Sequence, residues 1–449
     1  MINCFIPFLS LPQARQTVRA LGLCDRIKNI YLLATEKIPD EVEGCEMLMI
    51  DSPASTATFR TIALHADTAY TLLYTKYTAF EPGQFAFERL LAIAGDTNAG
   101  MLYADRYLLK NGNSQQAPVI DYQKGSLRDD FDFGSLLFFR SSVLKQAVRA
   151  MDADYRFAGL YDLRLRVSEL AELVHVNEYL YSEVETDIRK SGEKLFDYVD
   201  PKNRAVQIEL EAVCTAYLKR VGGYLAPDFE PVTFDAGGFE QEASVIIPVR
   251  NRIRTIEDAI RSVLAQKTTF RFNLIIVDNH STDGTSEAIG KYTADGRVVH
   301  LVPERSDLGI GGCWNVGVHH PACGKFAVQL DSDDVYSGPD TLQKIVDAFY
   351  EQNCAMVVGT YRMTDFKMNE IPPGIIDHRE WTLENGRNNA LRINGLGAPR
   401  AFYTPVLRRI NLPNTSYGED YALGLRISRT WQIGRIYDVL YLCRRWEDN

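Results

Sequence analysis

Short blocks of this chain occur twice in the same order. Leu165-Arg166-Val167-Ser168 returns as Leu425-Arg426-Ile427-Ser428, and Leu180-Tyr181 as Leu440-Tyr441, both at an offset of 260 residues by subtraction of residue numbers. Cys4-Phe5-Ile6-Pro7 stands against Val245-Ile246-Ile247-Pro248. Leu73-Tyr74-Thr75-Lys76-Tyr77, with Pro82 behind it, stands against Leu330-Asp331-Ser332-Asp333-Asp334, with Pro339 behind it. Chance likeness between short apolar segments is the competing explanation, and it does not account for the shared order. The repeat predicts one fold present twice. A chain of 449 residues has length for two domains.

The first half alternates strands with helices. Residues 1–10, 30–34, 46–50, 71–74 and 101–103 read as strands. Helical patterns run over 11–29, through Ala14, Val18, Leu21 and Cys24, and later through Phe85, Leu90 and Ile93. Short apolar strands between helices predict an α/β layer with a mostly parallel sheet. A charge-richer stretch follows, with a helical pattern over 203–221, and Pro227, Pro231 and Gly237-Gly238 mark a linker. The alternation restarts at Ala243. The expected architecture is α/β: two tandem Rossmann-like domains over 1–190 and 241–449, joined by a helical segment and linker over 191–240.

Hydrophobic residues make up 46% and charged residues 24%, as in globular proteins. A net charge of −10 gives no support to nucleic-acid binding, which favours a basic surface. No run approaches the roughly 20 apolar residues of a membrane span, and the N-terminal residues lack the charged start of a signal peptide. Eight cysteines without a C-x-x-C spacing suggest neither a zinc site nor a disulfide framework. The expected setting is cytoplasmic. Peripheral association with the inner membrane face, and homo-oligomerisation, stay open.

The second half gathers the chemistry. Val328-Gln329-Leu330-Asp331-Ser332-Asp333-Asp334 is an apolar run rising into three carboxylates. A turn followed by a helix cap explains such residues at least as simply. A carboxylate cluster at a strand end can also hold a divalent cation through oxygen ligands, and the cation can neutralise a departing diphosphate. Ligands of open α/β sheets sit beyond the carboxyl ends of strands. Pro248, Arg250 and Asn251 end one buried strand and Asp278 another, so Arg250 and Asn251 can meet a base or phosphate and Asp278 a base edge or ribose hydroxyl. In Leu308-Gly309-Ile310-Gly311-Gly312-Cys313-Trp314-Asn315, small residues allow backbone to approach a ligand, with Gly312 and Asn315 as contacts; a tightly packed glycine helix is nearly as good a reading. The run is neither a P-loop nor a dinucleotide turn. Asn394 to Arg400 reads as a small-residue loop suited to admit substrate. Glu419-Asp420 opens a helix, where the dipole favours acids, and one of the pair can serve as a general base.

Taken together, these motifs resemble a family 2 glycosyltransferase of the GT-A fold over residues 243–449. The resemblance implies an inverting transferase that uses a nucleotide-diphosphate sugar, by family habit a UDP-sugar, with Mn²⁺ or Mg²⁺. It implies nucleotide contacts at Pro248, Arg250, Asn251 and Asp278, Asp331 near ribose and metal, Asp333 as metal ligand, and Asp420 as catalytic base beside Glu419. The acceptor is a hydroxyl of a glycan or lipid-linked molecule, in cell-surface polysaccharide or glycoconjugate synthesis. Many relatives carry a late histidine at the metal or diphosphate. Here none follows His378, and Arg444 and Arg445 are the expected substitutes.

The first half resembles a degenerate copy of the same fold, silent in this mechanism. Leu9 and Ser10 occupy the places of Arg250 and Asn251, and Leu160 that of Asp420. Two other readings of the whole chain are a silent nucleotide-sugar or glycan-binding module and a sugar nucleotidyltransferase. The intact carboxylates disfavour the first, and neither Pro7-Phe8-Leu9-Ser10 nor Pro248-Val249-Arg250-Asn251 is the Gly-rich basic loop that the second would offer.

Overall fold

The computed structural model describes all residues except 38, 39, 111, 185–202, 236 and 447–449. Contacts divide the chain into two compact units, the first running to Tyr224 and the second from Leu225.

The first unit is built on strands β1 (Ile2–Pro7), β2 (Ile27–Ala34), β3 (Glu46–Met49), β4 (Tyr70–Tyr74), β5 (Phe80–Pro82), β6 (Met101–Lys110), β7 (Asn113–Ala117), β8 (Leu136–Arg140) and β9 (Leu173–Val184). The strand order is β3-β2-β1-β4-β8-β6-β9-β5, with β7 paired to β6. Side chains of a strand alternate between faces. Ile2, Cys4 and Ile6 enter one apolar cluster with Leu72 and Tyr74, while Phe5 enters the other with Leu73 and Tyr103. Both faces are covered, which is why β1 and β4 are mostly apolar rather than alternating, with Asn3 and Thr71 buried among them.

The second unit contains β10 (Ala243–Val249), β11 (Phe272–Asp278), β12 (Val298–Leu301), β13 (Phe326–Gln329), β14 (Val335–Tyr336), β15 (Met356–Thr364), β16 (Glu370–Ile376), β17 (Arg400–Tyr403) and β18 (Ile433–Arg444). Its order is β12-β11-β10-β13-β17-β15-β18-β14, with β16 paired to β15. Strand for strand, this is the order of the first sheet. Both sheets are mixed. The expected parallel arrangement holds for β3-β2-β1-β4 and for β12-β11-β10-β13, whereas β8 and β17 run antiparallel to both neighbours.

The registers correct the sequence alignment of the two halves. Phe5 faces Leu73 and Ile246 faces Gln329. Tyr70 pairs with Arg140, and Phe326 with Tyr403, each the last residue before a helix. Leu73 therefore corresponds to Gln329 rather than Leu330. Thr75 then falls at Asp331 and Lys76 at Ser332, so the lysine does not replace a metal-ligand aspartate directly.

Two helices differ from expectation. The first spans Leu11–Gly22 and stops short of 29, because Cys24 turns the chain back toward β2. The helix expected after residue 203 is Arg204–Arg220. It buries Val213, Cys214, Tyr217 and Leu218 against Tyr161 and Leu165 of the Gly159–Leu170 helix, so it packs within the first unit rather than standing free as a connector. Of the expected 191–240 segment, residues 191–202 and 236 lie outside the described residues. Among the described residues, no helix is long and apolar enough to cross a membrane.

Candidate active site

A cleft of about 360 Å³ opens at the carboxyl end of β13. Because β17 is antiparallel to β13, its first residue, Arg400, lies at the edge where β13 ends. The cleft is lined by Pro248, Arg252, Asp331, Asp333, Arg400, Glu419 and Asp420, among others. The two acidic motifs, more than eighty residues apart in sequence, therefore meet.

A side-chain relay crosses it. Gln329 donates from Nε2 to both carboxylate oxygens of Asp331, at 3.0 and 3.1 Å. Gln329 Oε1 accepts from the backbone N–H and Nη1 of Arg400, at 3.1 and 3.0 Å. Arg400 Nη2 then reaches Asp420 Oδ2 at 2.5 Å. Burial raises the Asp331 carboxyl above the usual range, and the Asp333 charge adds to this against Gln329 and Arg400. Burial likewise raises Glu419, helped by the charge of Asp420, and Glu419 Oε2 is buried without a hydrogen-bond partner among the described residues.

The acidic loop is held from behind. Asp334 is buried, accepts the Arg444 backbone N–H at 2.7 Å, and is pushed well up by burial and by Asp331 and Asp333. Asp331 donates its backbone N–H to the Tyr441 hydroxyl at 3.1 Å, and Thr255 Oγ1 donates to the Ser332 carbonyl at 2.9 Å. Asp333 Oδ2 accepts from Trp446 Nε1 at 3.1 Å and lies 3.6 Å from Arg252 Nε. The donors on offer are carboxylate oxygens, with like charges that disfavour each other's ionisation. That is the chemistry a hard divalent cation fits.

Several expected contacts are placed elsewhere. Asn315 exchanges both amide groups with the Leu412 backbone, at 2.8 and 2.9 Å, so it fastens a loop instead of facing a nucleotide. A Cβ on Gly312 would stand 2.2 Å from Asn414 Oδ1, and one on Gly311 1.9 Å from the Pro413 carbonyl. The small residues admit the 413–416 loop, not a ligand. In the loop over 394–400, Gly397 turns inward and donates its N–H to the buried His378 at 3.0 Å, while Ala398 and Arg400 line the cleft.

Arg444 is also corrected as a diphosphate ligand. It is 4% exposed, donates from Nε to the Asp333 carbonyl, and pairs through Nη1 with Asp258 at 2.9 Å. Arg445 donates its backbone N–H to the Thr364 carbonyl. Asp278 is fully buried. It accepts from Ser281 N at 3.0 Å and from Ser286 Oγ, and lies 3.4 Å from His300 Nε2. Burial would raise its carboxyl, but these hydrogen bonds win and hold it low. Asn251 sits at φ +54°, tolerable for asparagine, with its side-chain oxygen accepting Thr282 N–H at 2.8 Å. Arg250 is exposed at the strand end. Arg252 was not expected, and Gln329 and Arg400 fell within the acidic run and the 394–400 loop without a role of their own; the antiparallel return of β17 brings Arg400 to this edge.

Residues 244–409 match the family model described as glycosyl transferase family 2. Over these residues the second unit is similar to family 2 glycosyltransferases. Among curated relatives, an uncharacterized glycosyltransferase of Rickettsia felis is 30% identical over 200 residues, covering 44% of this chain and 32% of that protein. The putative teichuronic acid biosynthesis glycosyltransferase TuaG of Bacillus subtilis is 33% identical over 120 residues, covering 27% of this chain and 46% of that protein. The chain thus spans less than half the length of these relatives. Among solved structures, S. aureus TarS 1–349 in complex with UDP-GlcNAc is 22% identical with a TM-score of 0.39, covering 46% of this chain and 59% of that one.

Proposed function

We propose that the family 2 domain transfers a sugar from a nucleotide-diphosphate donor, a UDP-sugar first among candidates, to a hydroxyl of a glycan or lipid-linked acceptor, with inversion. The observation that carries this is the convergence of Asp331, Asp333, Glu419 and Asp420 on one cleft. Asp331 and Asp333 would hold Mn²⁺ or Mg²⁺, which when bound neutralises charge on the diphosphate. Pro248 and Arg252 line the same side, where Arg252 can meet phosphate oxygens. Asp420 takes the proton of the acceptor hydroxyl, which then attacks the anomeric carbon from the face opposite the diphosphate. Arg400 orients Asp420 for this, and the carboxylate keeps lone pairs for the hydroxyl. Glu419, whose carboxyl is raised by burial and by the charge of Asp420, flanks the base. Arg250, Asn251 and Asp278 support the nucleotide end, the last two by shaping the 279–286 turn.

The first unit, with the same strand order, is read as a copy of this fold that has lost the acidic site. A role in cell-surface polysaccharide assembly fits the proposed donor and acceptor classes. Release of nucleoside diphosphate from a panel of donors with Mn²⁺ tests the proposal. Asp333→Ala should abolish it, and Asp420→Asn should cost about 10²–10⁴-fold in turnover, both while folded. Normal turnover by folded Asp420→Asn would remove the base assignment, and turnover unaffected by EDTA would remove the cation.

A further inference from the structure

The first unit has a cavity of about 920 Å³ of its own. Strand registers and the common offset of 260 place it where the second unit has its active-site cleft. Thr75 stands for Asp331, Leu137 for Arg400 and Leu160 for Asp420, and all three line it. Leu73 stands for Gln329. Three groups of the polar relay, Gln329, Arg400 and Asp420, are thus replaced by leucines and Asp331 by a threonine, while the opening persists. Met101, Phe133 and Phe157 extend the apolar wall.

Basic side chains appear in new positions. Arg106 corresponds to Tyr361, since they pair with Tyr181 and Tyr441, and Arg164 corresponds to Gly424. Lys76 and Arg106 both bind Glu183, which is fully buried, at 2.6 and 2.9 Å. Asp129, Asp130, Asp132 and Lys110 also line the cavity; Asp132 pairs with Arg106 at 2.9 Å and Asp130 with Arg128 at 2.7 Å. Arg164 differs. It lines the cavity, is 6% exposed, and has no carboxylate partner among the described residues. Its Nη2 donates to the Arg128 carbonyl at 3.2 Å, its Nη1 has no hydrogen-bond partner among the described residues, and its Cζ lies 4.9 Å from the Tyr161 ring centre. Aromatic faces attract a cation, but a buried charge without a counter-ion is costly.

We propose that this cavity is a metal-free binding site for an amphipathic anion: an apolar chain or ring lying against Leu137, Leu160 and Phe133, with a single phosphate or carboxylate head completing Arg164. Nothing in this assignment depends on catalysis by the second unit.

The test is calorimetric titration of the full chain with decyl phosphate below its micellar concentration, beside inorganic phosphate and neutral decyl maltoside. Decyl phosphate should bind at least about tenfold more tightly than either, the size of one well-placed charge pair. Decanoate binding would support the same assignment and identify a carboxylate head. Arg164→Gln should weaken binding at least about tenfold. Leu160→Asp, four residues earlier on the same helix, supplies a carboxylate to Arg164 from within and should abolish binding with the far-ultraviolet spectrum and donor turnover unchanged. If Arg164→Gln fails to fold, Leu160→Asp decides. Equal binding of decyl maltoside, equal binding of inorganic phosphate, no binding of either anionic amphiphile, or wild-type affinity in Leu160→Asp would overturn the proposal.

Discussion

Arg400 shows what a motif leaves out. Its guanidinium and backbone join Asp331, through Gln329, to Asp420. Arg400→Ala should lower turnover on the order of 10²-fold, the cost of a misplaced reacting group, with donor affinity changed less; a kcat and KM comparison checks the split. Gly312→Ala should destabilise by about 1–3 kcal/mol, the range for overpacking, read by urea denaturation, because its Cβ meets Asn414. The carboxylates of the cleft were legible because aspartates are conspicuous after an apolar run. The glycines were misread for a related reason. Glycine announces a close approach without saying what approaches, and here it is the 413–416 loop.

The 394–400 loop depends on a histidine that burial holds below its ordinary pKa, against the opposing pull of Glu380. His378 is therefore neutral when folded, with Nε2 accepting from Gly397 and Nδ1 placed 3.1 Å from Glu380. The unfolded chain protonates first, so this contribution is full above about pH 6.5 and is lost as pH falls below it through the depressed folded value. Protection of the Gly397 amide, measured relative to its intrinsic exchange rate at each pH, should fall on acidification, and His378→Gln should flatten that dependence. The strand that follows matters equally. Arg444, near the end of β18, ties the acidic loop to Asp258. Arg444→Ala should cost about 1.5–3 kcal/mol in a melting experiment, as for losing a hydrogen bond to a charged group, since the half-exposed Asp258 is screened. Its cationic character was visible in the sequence. Its burial was not, because that depends on pairing between β18 and β14, more than a hundred residues apart.

Each unit carries its own core, and the strand order is common to both. The repeat was legible because the 260-residue offset survives in two helices and two strands. The one-residue slip at Leu73 was not, because apolar strand residues align equally well in either register, and only paired neighbours decide. A ligand that binds native protein stabilises the part that holds it. UDP with Mn²⁺ should therefore raise the thermal transition of the second unit, leaving the first in place, as scanning calorimetry with tryptophan and near-ultraviolet probes can separate. β18 also sets the order in which this chain can become competent. It bridges β15 and β14, and the residues that brace the acidic loop lie at or just beyond its end. A ribosome therefore releases a finished first unit long before the second has its acids in position, and a nascent chain stalled before residue 433 would carry every carboxylate of the cleft yet consume no donor.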